Sequence, residues 1–168
     1  MLNSPTTLGI AIVLVIVAIW LFLAVVRSQR DGEISGKLIW TDHGRKTKAF
    51  RNRQYRIFGK PDLMFRVRSG VKAVEYKHRN GPVFRSDIAQ ALAAALAARG
   101  EGYRVTEVLL KTRTQELTID LGKSSDKDIY NKIKENAATV IQARSGKSVE
   151  AKPEHRKCLG CAYREPCR

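Results

Sequence analysis

From Leu8 to Val26 the chain is apolar, broken only by Gly9, and no polar face recurs within the run. At the α-helical rise this run of nineteen residues is roughly 28 Å long, close to the hydrocarbon thickness of a bilayer. After Arg27 the pattern changes to short alternations and two helical periodicities. Residues 27–36 read as a linker, 37–40 as a brief strand, and 41–48, with Gly44, as a polar turn. Residues 49–58 predict one strand leading to Gly59. Residues 62–68 and 71–78 predict two strands joined at Ser69-Gly70. Alanine and leucine fill 87–99, a helix that Asp87 caps and Gly100 stops. Residues 103–111 and 116–121 predict a second hairpin. Residues 126–144 predict an amphipathic helix, with Ile129, Ile133, Ala137, Val140 and Ile141 on one face. This order of strands, helix, strands, helix is that of a mixed sheet protein, α/β or α+β.

The first 26 residues carry no charged side chain, and the whole formal net charge of +15 lies in residues 27–168. The N-terminal run is therefore read as a retained transmembrane helix. A cleaved signal peptide fits poorly, because no Lys or Arg precedes the run and no small-x-small cleavage site comes after it. Arg27, Arg30 and Lys37 then place the N-terminus outside and the remainder in the cytoplasm, a single-pass arrangement at the cell membrane. The organisation expected is an anchor over 1–26, a linker over 27–36 and one domain over 37–168. Such a charge excludes a near-neutral or acidic domain and points to phosphate-rich partners, either DNA or an anionic membrane surface. Three cysteines, an odd number gathered at one end, exclude a secreted disulfide scaffold.

With Ser69-Gly70 as a two-residue turn, Arg68 pairs with Val71, Met64 faces Glu75 and Asp62 faces Lys77. Alternation then sends Asp62, Met64, Glu75 and Lys77 to one face. Asp62 and Glu75 become diagonal neighbours, close enough to converge on one hard divalent cation, Mg2+ or Mn2+. An Asp opposite a Lys is also an ordinary cross-strand ion pair.

Gly59-x-Pro61-Asp62 entering one strand, with Glu75-x-Lys77 on the next, resembles the metal-binding core of the PD-(D/E)XK nuclease superfamily. Within it the chain is most similar to the RecB-like exonucleases associated with CRISPR systems. The likeness runs from Ile57 to the C-terminus. It implies a restriction-endonuclease-like mixed sheet flanked by helices, acting as a metal-dependent DNA exonuclease with possible CRISPR or other DNA-processing partners. It implies that Asp62, Glu75 and the Tyr76 backbone carbonyl hold the metal, and that Lys77 serves the attacking water or the strained phosphate. A lysine there stabilises developing negative charge. The family's Gln-x-x-x-Tyr helix matches at Gln90, but Ala94 stands where the tyrosine would be. Asp87-x-x-Gln90 also reads as a capping box, and both readings of Gln90 remain open. The family's upstream ligand has Asp42 and His43 as its nearby candidates, either of which also suits a turn. His78 falls on the opposite face.

Cys158-x-x-Cys161-x5-Cys167 ends the chain, with spacing suited to thiolate ligation of a metal or an iron–sulfur cluster. The family resemblance implies three of four ligands to a [4Fe-4S] cluster. Its fourth, N-terminal cysteine is missing here, so His155 is the local substitute, and a three-Cys, one-His set would also suit zinc. Ala94 and the missing upstream ligand motivate an alternative of a different class. In it the chain is a nuclease-like fold without turnover that binds nucleic acid or acts as a scaffold at the membrane. A membrane redox protein built on the cysteine site is a further alternative.

Overall fold

A computed structural model describes residues 13–22, 34–42, 47–150 and 155–159. Residues 13–22 are helical (α1) with every side chain exposed. Among the described residues no helix is long and apolar enough to cross a membrane. The rest of the predicted anchor lies outside the described residues. The strands are β1 (Lys37–Thr41), β2 (Phe50–Asn52), β3 (Ile57–Gly59), β4 (Leu63–Val67), β5 (Gly70–Tyr76), β6 (Val105–Lys111) and β7 (Glu116–Asp120). The remaining helices are α2 (Arg85–Gly100), α3 (Asp126–Arg144) and α4 (His155–Cys158). Five strands form one sheet in the order β1-β4-β5-β6-β7, and β2-β3 form a separate two-stranded hairpin. β5 and β6 are parallel and joined by the crossover through α2, while the other neighbours are antiparallel. The mixed sheet predicted from the element order is thus present.

α2 lies between the sheet and the β2-β3 hairpin, which explains its composition. Ala91, Ala94, Ala95, Ala97 and Ala98 are all buried, along with Leu92 and Leu96. A helix packed on most of its circumference needs no polar face, and small side chains let its neighbours come close. A Cβ on Gly59 would stand 2.7 Å from the Ala94 Cα, and one on Gly100 would stand 2.5 Å from the Asn52 Cα. The core gathers Met64, Ala73, Val108 and Leu110 of the sheet, Leu96 of α2, and Ile129 and Ile133 of α3. α2 and α3 both pack on this face. On the other face Ile34, Val74 and Leu109 form a smaller buried cluster with Leu63, Phe65 and Tyr76 against it. A five-stranded mixed sheet with helices packed on it is consistent with the restriction-endonuclease-like fold that the resemblance implied.

Three expectations are corrected. Residues 49–58 form a hairpin rather than one strand. The Asn52 Oδ1 accepts the Tyr55 N–H at 3.3 Å, and Arg56 closes the turn at φ 56°. The Asn52 amide also donates to the Leu96 carbonyl at 3.1 Å, fastening the hairpin to α2. α2 begins two residues earlier than predicted. Phe84 is its N-cap, and Asp87 sits at the third helical position, where its carboxylate accepts the Phe84 N–H at 2.7 Å. Finally, Val140 and Ile141 do not join the core face of α3 and remain 56% and 55% exposed. Only the first half of α3 lies against α2, so the helix outruns its partner.

At the end of the sheet where β6 begins, Arg99 closes the structure. Its guanidinium donates to the carbonyls of Val105, Ser124 and Leu121 and pairs with Asp126. The depression around it, lined by Tyr103, Arg104 and Thr106 among others, is far from the predicted carboxylates, which lie where β5 ends.

Candidate active site

The β4-β5 hairpin pairs Val67 with Gly70 and Leu63 with Val74. Its turn is Arg68-Ser69, and the register differs from the predicted one by two residues. Gly70 is in the strand because β6 crowds it: at φ +146°, a Cβ there would lie 2.6 Å from the Arg104 carbonyl oxygen. A one-residue slip would have reversed every side chain, whereas a slip of two preserves the faces. Asp62, Met64, Glu75 and Lys77 therefore share a side as predicted, but Asp62 now lies beside Glu75 instead of opposite Lys77. The Asp62 N–H donates to the Val74 carbonyl at 3.0 Å, and its Oδ2 accepts the Tyr76 N–H at 2.7 Å. These two bonds bracket Glu75. Pro61, buried and without an N–H to satisfy, ends the regular ladder and frees the Asp62 carboxylate to replace a main-chain acceptor.

Glu75 points toward α2 and is 4% exposed. Its Oε1 accepts from the Lys77 Nζ and from the Gln90 Nε2, each at 2.8 Å, and the Lys77 Nζ also donates to the Gln90 Oε1 at 2.8 Å. The three side chains form a closed ring, and its two bonds to Gln90 fix which end of the amide faces which partner. The capping-box reading of Gln90 is thereby removed. Gln90 sits in the second turn of α2, beyond the cap, and the capping role belongs to Asp87. The Glu75 Oε2 is buried and has no hydrogen-bond partner among the described residues. Burial pushes the Glu75 carboxyl above its ordinary range; the Lys77 hydrogen bond opposes this, while the charges of Asp62 and Asp87 add to it.

A buried carboxylate oxygen without a donor is costly, and a divalent cation is a natural partner for it. Asp62, just before β4, and Glu75 on β5 could supply two hard oxygen ligands, a donor set that would suit Mg2+ or Mn2+ completed by water and substrate phosphate. Among the described residues, no three His, Cys, Asp or Glu side chains gather into a metal-sized group, so the protein's share would be these two carboxylates plus backbone. Tyr76 lies between Glu75 and Lys77, with its amide on Asp62 and its ring on the far face of the sheet.

Of the other predicted residues, Asp42 lies next to Asp62, donating its N–H to the Asp62 carbonyl at 3.1 Å. Its carboxylate is held by the Lys60 Nζ at 2.8 Å and by the Thr47 hydroxyl, bonds that hold its pKa below the usual range. His43 lies outside the described residues. His78 is exposed. Ala94 is packed under Gly59, so a tyrosine there would displace the β2-β3 hairpin. His155 and Cys158 lie one turn apart on α4, while Cys161 and Cys167 lie outside the described residues.

One neighbour of the site was not singled out by sequence. Arg79 forms an ion pair with Asp87, and its guanidinium lies 4.5 Å from the Phe84 ring centroid. It thereby ties the loop after β5 to the first turn of α2, the helix that delivers Gln90. No periodicity announces this pair, because its members come from a loop and a helix end.

Comparison with known proteins gives a match to the family model described as the PD-(D/E)XK nuclease superfamily, over residues 18–168. No curated protein matches the chain.

Proposed function

Because the chain belongs to the PD-(D/E)XK nuclease superfamily, whose members generally hydrolyse phosphodiester bonds with divalent metal ions, we propose that it is a metal-dependent deoxyribonuclease working at Asp62, Glu75 and Lys77. The observation that carries this reading is the buried, donorless Glu75 Oε2 beside a second carboxylate and an ammonium group. A divalent cation at the two carboxylates would supply positive charge at the scissile phosphate. Tyr76 holds Asp62 in place through its N–H, and Gln90 holds Glu75 and Lys77 in register with each other. Lys77, held beside Glu75 and Gln90, would present its ammonium to the charge that builds on the phosphate. Exonuclease action is the finer form of this reading and rests on the likeness to RecB-like enzymes, as does any CRISPR partnership.

Two further parts belong to the proposal. The Leu8–Val26 run anchors the protein in the membrane with the domain on the cytoplasmic side, which the apolar length and the arginines after it support. The tail carries an iron–sulfur cluster, or zinc, on Cys158, Cys161, Cys167 and His155. The one-turn spacing of His155 and Cys158 on α4 suits two ligands of one centre.

The test is Mn2+-dependent cleavage of end-labelled DNA by the full-length chain in detergent. Cleavage that disappears in both Glu75→Ala and Asp62→Ala supports the site, and cleavage unaffected by either removes it. A second reading, a binding module without turnover, is favoured by the lack of a third carboxylate among the described residues. It predicts salt-sensitive DNA binding with no Glu75-dependent cleavage in any divalent metal.

A further inference from the structure

The β2-β3 hairpin shows two very different faces. Phe50, Asn52 and Ile57 are buried against α2, whereas Arg51 and Phe58, directly paired across the strands, point outward. Phe58 is 53% exposed, and the Arg51 guanidinium lies over its ring at 4.8 Å from the centroid. Arg53 and Arg56 occupy the turn and are exposed. Among the described residues none of Arg51, Arg53 or Arg56 is in an ion pair. Between Asp42 and Asp62 the sequence holds seven Lys or Arg and no Asp or Glu. The hairpin is also fastened to the helices, since Asn52 bonds to the Leu96 carbonyl and Tyr55 stacks on Tyr130 with centroids 4.8 Å apart.

We propose that the outer face of this hairpin is a docking platform for single-stranded nucleic acid, with a base stacked on Phe58 and the backbone phosphates met by Arg51, Arg53 and Arg56. The inference rests on the nuclease reading for its direction and deepens it by naming the substrate's form. An exposed aromatic ring set among unpaired cations is the usual composition of sequence-tolerant strand-binding surfaces. A base in a duplex has no free face to offer the ring, which selects a single strand. Continuity places the platform beside the candidate site, since only Gly59, Lys60 and Pro61 separate Phe58 from Asp62. Four residue steps span at most about 14 Å, so a strand lying on Phe58 is within a few nucleotides of Glu75. An anionic bilayer would also attract the arginines, but it gives no reason for an exposed ring under a guanidinium four residues before Asp62.

The test is binding of labelled oligo(dT), a duplex of equal length, and phosphatidylserine vesicles to the full-length chain in EDTA, where no cleavage occurs. Phe58→Ala is expected to weaken oligo(dT) binding about 5- to 150-fold, the range for loss of one stacked base, with Phe58→Trp restoring it. The Arg53→Gln/Arg56→Gln pair is expected to flatten the salt dependence by roughly 0.7 for each phosphate no longer neutralised. Unchanged oligo(dT) binding in Phe58→Ala, equal loss for duplex and single strand, or Phe58-dependent binding to vesicles alone overturns the proposal. Metal-free binding is independent of turnover. Failure of the platform therefore leaves Glu75-dependent cleavage standing, and absence of cleavage leaves the platform to be judged by its own binding data.

Discussion

Glu75 allows a sharp test because its burial works against it. With its carboxyl pKa raised by desolvation and by the charges of Asp62 and Asp87, the metal-free protein binds a proton there more tightly than the unfolded chain does. Below the ordinary glutamate range both states are protonated and the full contribution is present. As pH rises through the raised folded value, the buried charge appears and stability is lost. One proton accounts for a slope of at most about 1.4 kcal/mol per pH unit, or about 3–5 °C of Tm per unit for a chain of this size. A divalent cation needs the carboxylate, so its stabilising effect should grow over the same interval.

Thermal unfolding measured from pH 4.5 to 8, with and without Mn2+, reads both effects, and the informative quantity is the difference between wild type and Glu75→Gln. That variant deprives Lys77, 15% exposed, of its counter-ion. The slope with pH, and not a constant offset between the two proteins, is therefore the quantity that reports Glu75. Asp42 and Asp128, whose pKa values are lowered, act in the opposite sense, adding stability that is lost as pH falls, and they cancel in the difference. The expected result is a metal-free wild type that loses stability relative to Glu75→Gln as pH rises, and a Mn2+ shift present only in the wild type. Parallel pH profiles, or an equal Mn2+ shift in both proteins, would refute the reasoning.

Lys77→Met should lower Mn2+-dependent cleavage by about 10²- to 10³-fold, the usual cost of losing one charge-stabilising donor, while retaining a Mn2+-induced rise in Tm; loss of that rise would make Lys77 a structural residue. Gly59→Ala puts a methyl 2.7 Å from the Ala94 Cα. Overpacking of this kind should cost about 1–3 kcal/mol and impair cleavage by displacing the helix that carries Gln90, as denaturant unfolding and the DNA assay would show. Arg99→Met removes the donor to the Val105 and Ser124 carbonyls and one of two donors to the Leu121 carbonyl, and should cost about 2–4 kcal/mol. Cleavage per folded molecule should be preserved, because Arg99 lies at the other end of the sheet.

Much of the architecture was legible in the sequence because alternation and helical period report which side of an element is buried. The strands of the main sheet along the chain, α2 and the first half of α3 can be read from those signals. They fail where the decisive contact is distant. Residues 49–58 contain no Gly or Pro, so nothing local marks a turn. The hairpin depends on the Asn52 side chain bonding forward to Tyr55 and across to Leu96, and on Arg56 accepting a left-handed φ. Val140 and Ile141 continue the apolar stripe of α3, but periodicity carries no information about where the neighbouring helix stops. The ring of Glu75, Lys77 and Gln90 was only half visible. Spacing puts the first two on one face, but Gln90 joins them through the crossover, and its neighbour Asp87 offered an equally good reason for polar residues at that helix start.

The register error shows why the site could be located before its geometry was known. Alternation fixes the parity of a strand but not its absolute alignment, so an error of two residues leaves the chemistry on the right face while exchanging partners. Here the exchange matters. Asp62 opposite Lys77 would be an ion pair, whereas Asp62 beside Glu75 makes two carboxylates that repel unless a cation joins them. The motif leading into Asp62 divides its work in the same way. Gly59 is small so that Ala94 can approach, Lys60 neutralises Asp42 in an ion pair, and buried Pro61 removes an N–H that would otherwise need a partner. Three of its four positions thus serve packing and electrostatics, so that the fourth can hold a charge next to Glu75.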